Sequence, residues 1–73
     1  MSGTVVYQSA TGQTERDLRS TYADAEASLA RSLQRHRVSL GNVVAPVSGS
    51  GRDSHVRVTS PSGHLVGEYW IEL

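Results

Sequence analysis

The chain has 73 residues, a formal net charge of zero and no cysteine. Zero net charge gives no reason to expect whole-molecule attraction to nucleic acid or acidic membranes, and the missing cysteines exclude disulfides and thiolate metal sites. A chain this short makes one small domain, and without Phe its core must come mainly from Val, Leu, Ala, Tyr and Trp. In a chain of this size, the free energy gained by burying apolar area and the entropy cost of ordering the residues nearly cancel. Docking on a partner or a second copy is therefore expected.

No stretch of the sequence approaches the roughly 20 apolar residues that a transmembrane helix needs. The first residues, M-S-G-T-V-V, also lack the basic region and long apolar segment of a signal peptide. A cytoplasmic protein is therefore the default expectation.

The first element predicted is a strand over about residues 4–9, where β-branched and aromatic residues are frequent (T-V-V-Y-Q-S). A turn containing Gly12 follows. Residues 14–20 (T-E-R-D-L-R-S) leave two structures open. They are either the first turns of a helix or a weak strand that returns from the Gly12 turn.

A helix is predicted from about Thr21 to His36. Thr21 with Asp24 three residues later resembles a capping box, in which the threonine side chain accepts a hydrogen bond from a free backbone N–H. Acidic residues near the start and basic residues near the end complement the helix dipole. The 3-4-4-3 spacing predicts one buried face, made of Tyr22, Ala25, Leu29, Leu33 and His36.

The next segment, V-S-L-G-N-V-V-A, predicts a strand over about 38–45, broken or bulged near Gly41. Pro46 cannot donate to a ladder, so the strand is expected to end there or to lie at a sheet edge. Residues 48–54 (S-G-S-G-R-D-S) predict a flexible polar loop. Its glycines lack the spacing and the Lys of a phosphate-binding P-loop, so it is interpreted as a linker.

A β-hairpin is predicted from strands over about 55–60 and 64–72. A three-residue loop would place the two valines of the first strand beside Val66 and Trp70, whereas a four-residue loop that includes Ser60 would place them on the other face. We prefer the longer loop because it gives one clean apolar face for a single helix to cover. That face would contain Val56, Val58, Leu65, Tyr69 and Ile71.

Together these elements predict an α+β domain spanning residues 1–73. One helix packs on an antiparallel sheet of three or four strands, in the order β-α-β-β-β or with an extra short strand before the helix. Many small domains share this order, and a fold of this kind assigns no function by itself.

The first candidate site lies around the single Trp. In the preferred register Trp70 projects from the sheet face opposite the helix, and large aromatic rings are enriched at binding hot spots. The alternative is that Trp70 belongs to the core or covers a sheet edge. The predicted partner-binding surface consists of Trp70, Val66, Glu68, Glu72 and Arg57.

The second candidate site is a group of arginines that could bind phosphate or an acidic protein. Arg31 and Arg35 are one helical turn apart, Arg37 follows, and Arg52 and Arg57 could approach from the loop and the hairpin. The alternative is that the helix arginines complement the dipole and face solvent.

No metal site, cofactor or catalytic site is predicted. His36, His55 and His64 have the spacing of no metal motif, and the sequence holds no G-x-S-x-G nucleophile elbow. A chain of this length also leaves little room for a buried, preorganised catalytic site. We therefore expect a protein that is not an enzyme.

The leading functional hypothesis is a non-catalytic protein-binding module that inhibits or regulates a partner. Small regulators encoded by phages and mobile elements, anti-CRISPR proteins among them, often have this size and architecture, which is an analogy rather than a likeness of residues. The alternatives are a nucleic-acid or phosphate-binding module that uses the arginines, and a self-associating subunit, for example a homodimer.

Overall fold

The computed structural model describes residues 2–73 as one α-helix packed on a five-stranded antiparallel sheet. The elements are β1 (Gly3–Ser9), β2 (Thr14–Arg19), α1 (Tyr22–Val38), β3 (Val43–Pro46), β4 (Asp53–Thr59) and β5 (Leu65–Glu72). Their order across the sheet is β2-β1-β5-β4-β3, so the last strand of the chain lies at the centre beside the first. The predicted α+β class with one helix is confirmed, but the sheet has five strands rather than three or four.

The added strand is β2, which comes from the segment that the sequence left open. It pairs with β1 from Gly3↔Arg19 to Gln8↔Thr14 without a break in register. The weak-strand interpretation of residues 14–20 is therefore the correct one. β2 forms one edge of the sheet, and β3 forms the other.

The helix begins as predicted and ends two residues later. The side chain of Thr21 accepts a hydrogen bond from the backbone N–H of Asp24 at 3.1 Å, which caps the first turn. At the other end the N–H of Ser39 donates to the carbonyl of Arg35, so Val38 is still helical. The prediction of a strand from residue 38 was wrong, because this last turn is completed before the chain turns toward β3.

The core fills the space between α1 and one face of the sheet. The helix contributes Ala25, Leu29 and Leu33 to it. His36 is also buried, so four of the five residues predicted for the buried face are buried, and the fifth, Tyr22, is partly buried against the core. A fully buried Val, Leu or Ile contributes about 1.5–3 kcal/mol, so these few side chains hold the two layers together. The buried apolar cluster is Val5, Ala25, Leu29, Leu33, Val58, Tyr69 and Ile71.

The β4–β5 hairpin combines features of both registers considered. The N–H of Ser60 donates to the carbonyl of His64 at 2.8 Å, which closes a three-residue loop with Gly63 in the left-handed region at φ 90°. A bulge then follows, since Val58 pairs with Gly67 while the next residue, Thr59, pairs with Leu65.

This bulge changes which residues share a face. Val56 pairs with Tyr69 and packs with it against the helix-side core, as the preferred register predicted. Two other assignments were wrong. Val66 packs against the helix-side core instead of lying beside Trp70, and Leu65 is exposed instead of joining the apolar face.

Candidate functional site

The sheet face opposite α1, called the open face below, carries the predicted tryptophan. Trp70 pairs with Val6 of β1, and the neighbouring pair Val5↔Ile71 points into the helix-side core. Because successive side chains of a strand alternate between faces, Val6 and Trp70 lie on the open face. The predicted direction of Trp70 is confirmed.

Trp70 is nevertheless buried, with 6% of its surface exposed. The guanidinium carbon of Arg52 lies 3.9 Å from the ring centroid, and the His55 ring packs edge-on with a centroid distance of 5.8 Å. The indole N–H donates to Glu72 Oε2 at 3.2 Å. The expectation of an exposed indole was therefore wrong, because a loop interpreted as a linker covers it.

That covering loop, which joins β3 to β4, is held by hydrogen bonds to His55. Nδ1 of His55 lies 2.8 Å from Ser50 Oγ, and the N–H of Val47 donates to the carbonyl of His55 at 2.9 Å. Gly49 and Gly51 adopt φ values of 76° and 78°, which a side chain would strain, so the two glycines let the loop fold back onto the sheet.

Around the indole the charged side chains of the open face form pairs. Glu68 accepts from His55 Nε2 through Oε1 at 2.5 Å, while its Oε2 lies 3.8 Å from Arg57 Nε. Glu72 forms an ion pair with Arg16, which reaches across β1 from the edge strand. The Arg16 guanidinium, and next the hydrogen bond from the indole, lower the pKa of Glu72 below its ordinary value. Both carboxylates are thus held in fixed positions.

Most of the predicted partner-binding residues are therefore neighbours. Trp70, Glu68, Glu72 and Arg57 lie together on the open face, and Val66 is the member that the structure places elsewhere. Sequence reasoning missed Arg16, because nothing in a local pattern shows that β2 joins the sheet on the far side of β1.

The predicted arginine group is divided between the two faces. Arg52 stacks on Trp70, and Arg57 pairs with Glu68 on the open face. Arg31, Arg35 and Arg37 belong to α1, which covers the opposite face. The expectation that the loop and hairpin arginines approach the helix arginines was wrong, since the sheet separates them.

A second candidate site is a cleft of about 220 Å³ between β2 and the helix. Its floor contains His36, whose Nε2 lies 2.8 Å from Tyr69 Oη and whose Nδ1 lies 3.1 Å from Asn42 Nδ2. Burial, and next the charge of Arg35, lowers the pKa of His36. The lining residues are Val5, Tyr7, Glu15, Arg16, Asp17, Ser28, Ser32, Arg35, His36 and Tyr69.

The wall of this cleft contains a carboxylate that links β2 to the helix. Oδ2 of Asp17 accepts from Ser28 Oγ at 2.7 Å and from Arg19 Nη2 at 2.8 Å. The hydrogen bond from Ser28, and next that from Arg19, lowers the pKa of Asp17. The side chain thus anchors the edge strand to α1.

The three histidines lie apart, with His36 on the buried side of the helix, His55 on the open face and His64 beside the hairpin turn. Among residues 2–73 no group of three or more His, Asp or Glu side chains is placed to hold a metal ion. In that same part of the chain, no helix is long and apolar enough to span a membrane.

Comparison of the chain with family models, curated proteins and solved structures found no match. The functional argument therefore depends on the residues and geometry described above.

Proposed function

We propose that this protein is a non-catalytic protein-binding module that inhibits or regulates a partner, and that the partner contacts the open face. The observation that carries the proposal is that a helix covers one face of the sheet and, in the part of the chain that the structure describes, leaves the open face without one. α1 covers one side of the sheet, whereas no helix covers the other side within residues 2–73, where the β3–β4 loop and side chains of the face itself bury Val6 and Trp70. A sheet that needs a single helix for its core leaves its second side for recognition.

The side chains of the open face are already ordered by one another. Arg57 and Glu68 are paired across strands, and Arg16 is paired with Glu72. Long side chains that are held in place before binding lose less entropy when a partner docks. Charges of both signs at fixed positions favour one complementary partner over others.

Arg52 and Trp70 form the central contact unit of this proposal. A stacked guanidinium offers its outer face and its N–H groups to a partner carboxylate or aromatic ring, while the indole below supports it. Arg and Trp are the residue types that most often dominate binding energy in interfaces. In this proposal Arg52 contacts the partner, and the indole of Trp70 supports Arg52 from below.

The nucleic-acid alternative draws less support from this geometry. The open face joins Arg16, Arg52 and Arg57 to Glu68 and Glu72, which leaves little net positive charge. Strong nucleic-acid binders neutralise several phosphates, and their affinity falls steeply with added salt. Binding to DNA or RNA that weakens in this manner would support the alternative.

A charge-reversal pair tests the proposal. Arg57→Glu changes the open face, and Arg37→Glu makes the same change at an exposed helix position. We expect a partner protein captured from host lysate, then purified, to bind the wild type and Arg37→Glu equally and to bind Arg57→Glu at least tenfold more weakly. Circular dichroism checks that both variants are folded. A partner that binds Arg57→Glu as tightly as the wild type would contradict the proposal.

A further inference from the structure

We infer that β2 is a docking edge for a second copy of this chain, with the two β2 strands paired antiparallel across a two-fold axis. The inference does not depend on the proposed function, because it concerns the edge strand β2 and not the Arg52–Trp70 contact on the central strand. It starts from a difference between the two edges. β3 has four residues and ends at Pro46, which has no N–H to donate, whereas β2 has six residues and no bulge.

The charges of β2 determine which pairing is acceptable. In an antiparallel pair, directly opposed residues share a sheet face. If both helices are to lie on the same side of the joined sheet, the two-fold axis must therefore pass between one residue and the same residue of the second copy. An axis at Arg16 would oppose Arg16 to itself and Glu15 to Asp17. An axis at Asp17 would oppose two Asp17 carboxylates. Both registers bring like charges together.

An axis at Leu18 avoids these repulsions. It pairs residues 17–19 of the two strands, opposes Leu18 to Leu18 and places Asp17 of each copy opposite Arg19 of the other, which gives two reciprocal ion pairs. Leu18 is 77% exposed in the single chain, the highest value among the exposed large apolar residues of the part that the structure describes. Pairing would bury this leucine against its own copy on the open face.

The atoms for these ion pairs are available. Within residues 2–73, all the hydrogen bonds that Asp17 accepts through its side chain go to Oδ2, and Oδ1 accepts none. Arg19 uses Nε and Nη2 for its bonds to Asp17 and Ser28, which leaves the donors of Nη1. The pair that stabilises each copy can therefore extend to the second one without being broken.

The order of Asp17, Leu18 and Arg19 along β2 also explains why the strand that pairs with this edge is a second copy of the chain. An unrelated strand that pairs with this edge would meet charges of both signs and would usually be repelled at one of them, which is how charged edges prevent aggregation. The sequence Asp17-Leu18-Arg19 is complementary to itself when reversed. A two-fold dimer matches such a self-complementary patch.

Cysteine cross-linking tests the register directly, because the natural chain has no cysteine. Opposed Cα atoms in an antiparallel pair are roughly 4.5–5.5 Å apart, within the range of a disulfide. We expect Leu18→Cys to form a covalent dimer under mild oxidation. The matched control is Val38→Cys on the helix, which is similarly exposed at 76% and should stay largely monomeric. Equal cross-linking of both variants would overturn the inference.

Analytical ultracentrifugation tests the association without a covalent bond. We expect the wild type to dimerise as concentration rises and Asp17→Arg to weaken dimerisation at least tenfold, because two arginines would then oppose each other. The charge-swapped variant Asp17→Arg/Arg19→Asp restores both ion pairs and should dimerise again. A wild type that remains monomeric at millimolar concentration would overturn the inference, as would a swapped variant that folds but does not associate.

Discussion

The guanidinium carbon of Arg52 lies 3.9 Å from the centroid of the Trp70 ring. This stacking joins a glycine-rich surface loop to the central strand of the sheet. It also makes the single Trp of the chain a reporter of whether the loop is closed.

Removing the guanidinium should uncover the indole. We expect Arg52→Ala to lower the free energy of unfolding by about 0.5–1 kcal/mol, the contribution of a partly exposed cation–π contact. Trp70 emission should shift to longer wavelength, and acrylamide should quench it more strongly. Urea titration and fluorescence measure the two effects.

The control for this change is Arg37→Ala, which removes an exposed arginine from the end of the helix. Its indole emission should match the wild type. Emission that is unchanged in Arg52→Ala would show that Arg52 does not shield the indole in solution.

The buried His36 predicts a dependence of stability on pH. Burial, followed by the charge of Arg35, lowers its pKa in the folded state below the ordinary value of 6.5. At a pH between the two pKa values, His36 is therefore protonated in the unfolded chain and largely neutral in the folded one. Stability from this residue is complete above about pH 6.5 and decreases as the pH falls below it toward the lower, folded-state pKa.

Replacing His36 by Gln removes the titrating group. We expect the difference in unfolding free energy between the wild type and His36→Gln to change as the pH is lowered from 7.5 to 5, with the wild type losing stability relative to the variant. Other groups titrate in both proteins and cancel in the difference. Urea unfolding at several pH values measures it, and a pH-independent difference would contradict the prediction.

Gly67 should tolerate no side chain. A Cβ built at this position would lie 2.5 Å from Cε1 of Tyr7 and 2.8 Å from the backbone oxygen of Gln8. The ring can shift, but the strand that carries the oxygen cannot move without loss of pairing. We expect Gly67→Ala to cost about 2 kcal/mol or more, seen as a Tm roughly 10 °C lower or as loss of folding.

Gly51→Ala is the matched control for that variant. A Cβ there meets no atom within 4 Å, and the strain comes from its φ of +78°. We expect a cost of about 1 kcal/mol, the usual penalty for a left-handed residue. A Gly67→Ala protein that melts no lower than Gly51→Ala would show that β1 and β5 separate more easily than their pairing suggests.

The sequence predicted the elements that carry a local signal. Thr21 caps the helix at the predicted position, and Ala25, Leu29, Leu33 and His36 are buried at the predicted spacing. Both signals arise within one or two helical turns, so they can be read without knowing the rest of the fold.

The errors occurred where distant contacts decide the structure. β2 has no apolar face, because Leu18 is its one apolar residue and is exposed in the single chain, so its pattern was ambiguous. The shift in register at Val66 depends on a bulge that follows a turn, and hydrophobic alternation does not reveal it. The cover over Trp70 depends on contacts between the loop and His55 that no spacing rule predicts.

The central position of β5 determines how the chain can acquire its structure. β5 pairs with β1 on one side and β4 on the other, so it joins two hairpins that otherwise share no ladder. During synthesis the β1–β2 and β3–β4 pairs can form early, but the complete sheet must wait until residue 72 has left the ribosome. Closing so long a loop is slow, and a ribosome-stalled chain that lacks β5 would expose both hairpins to chaperones and proteases.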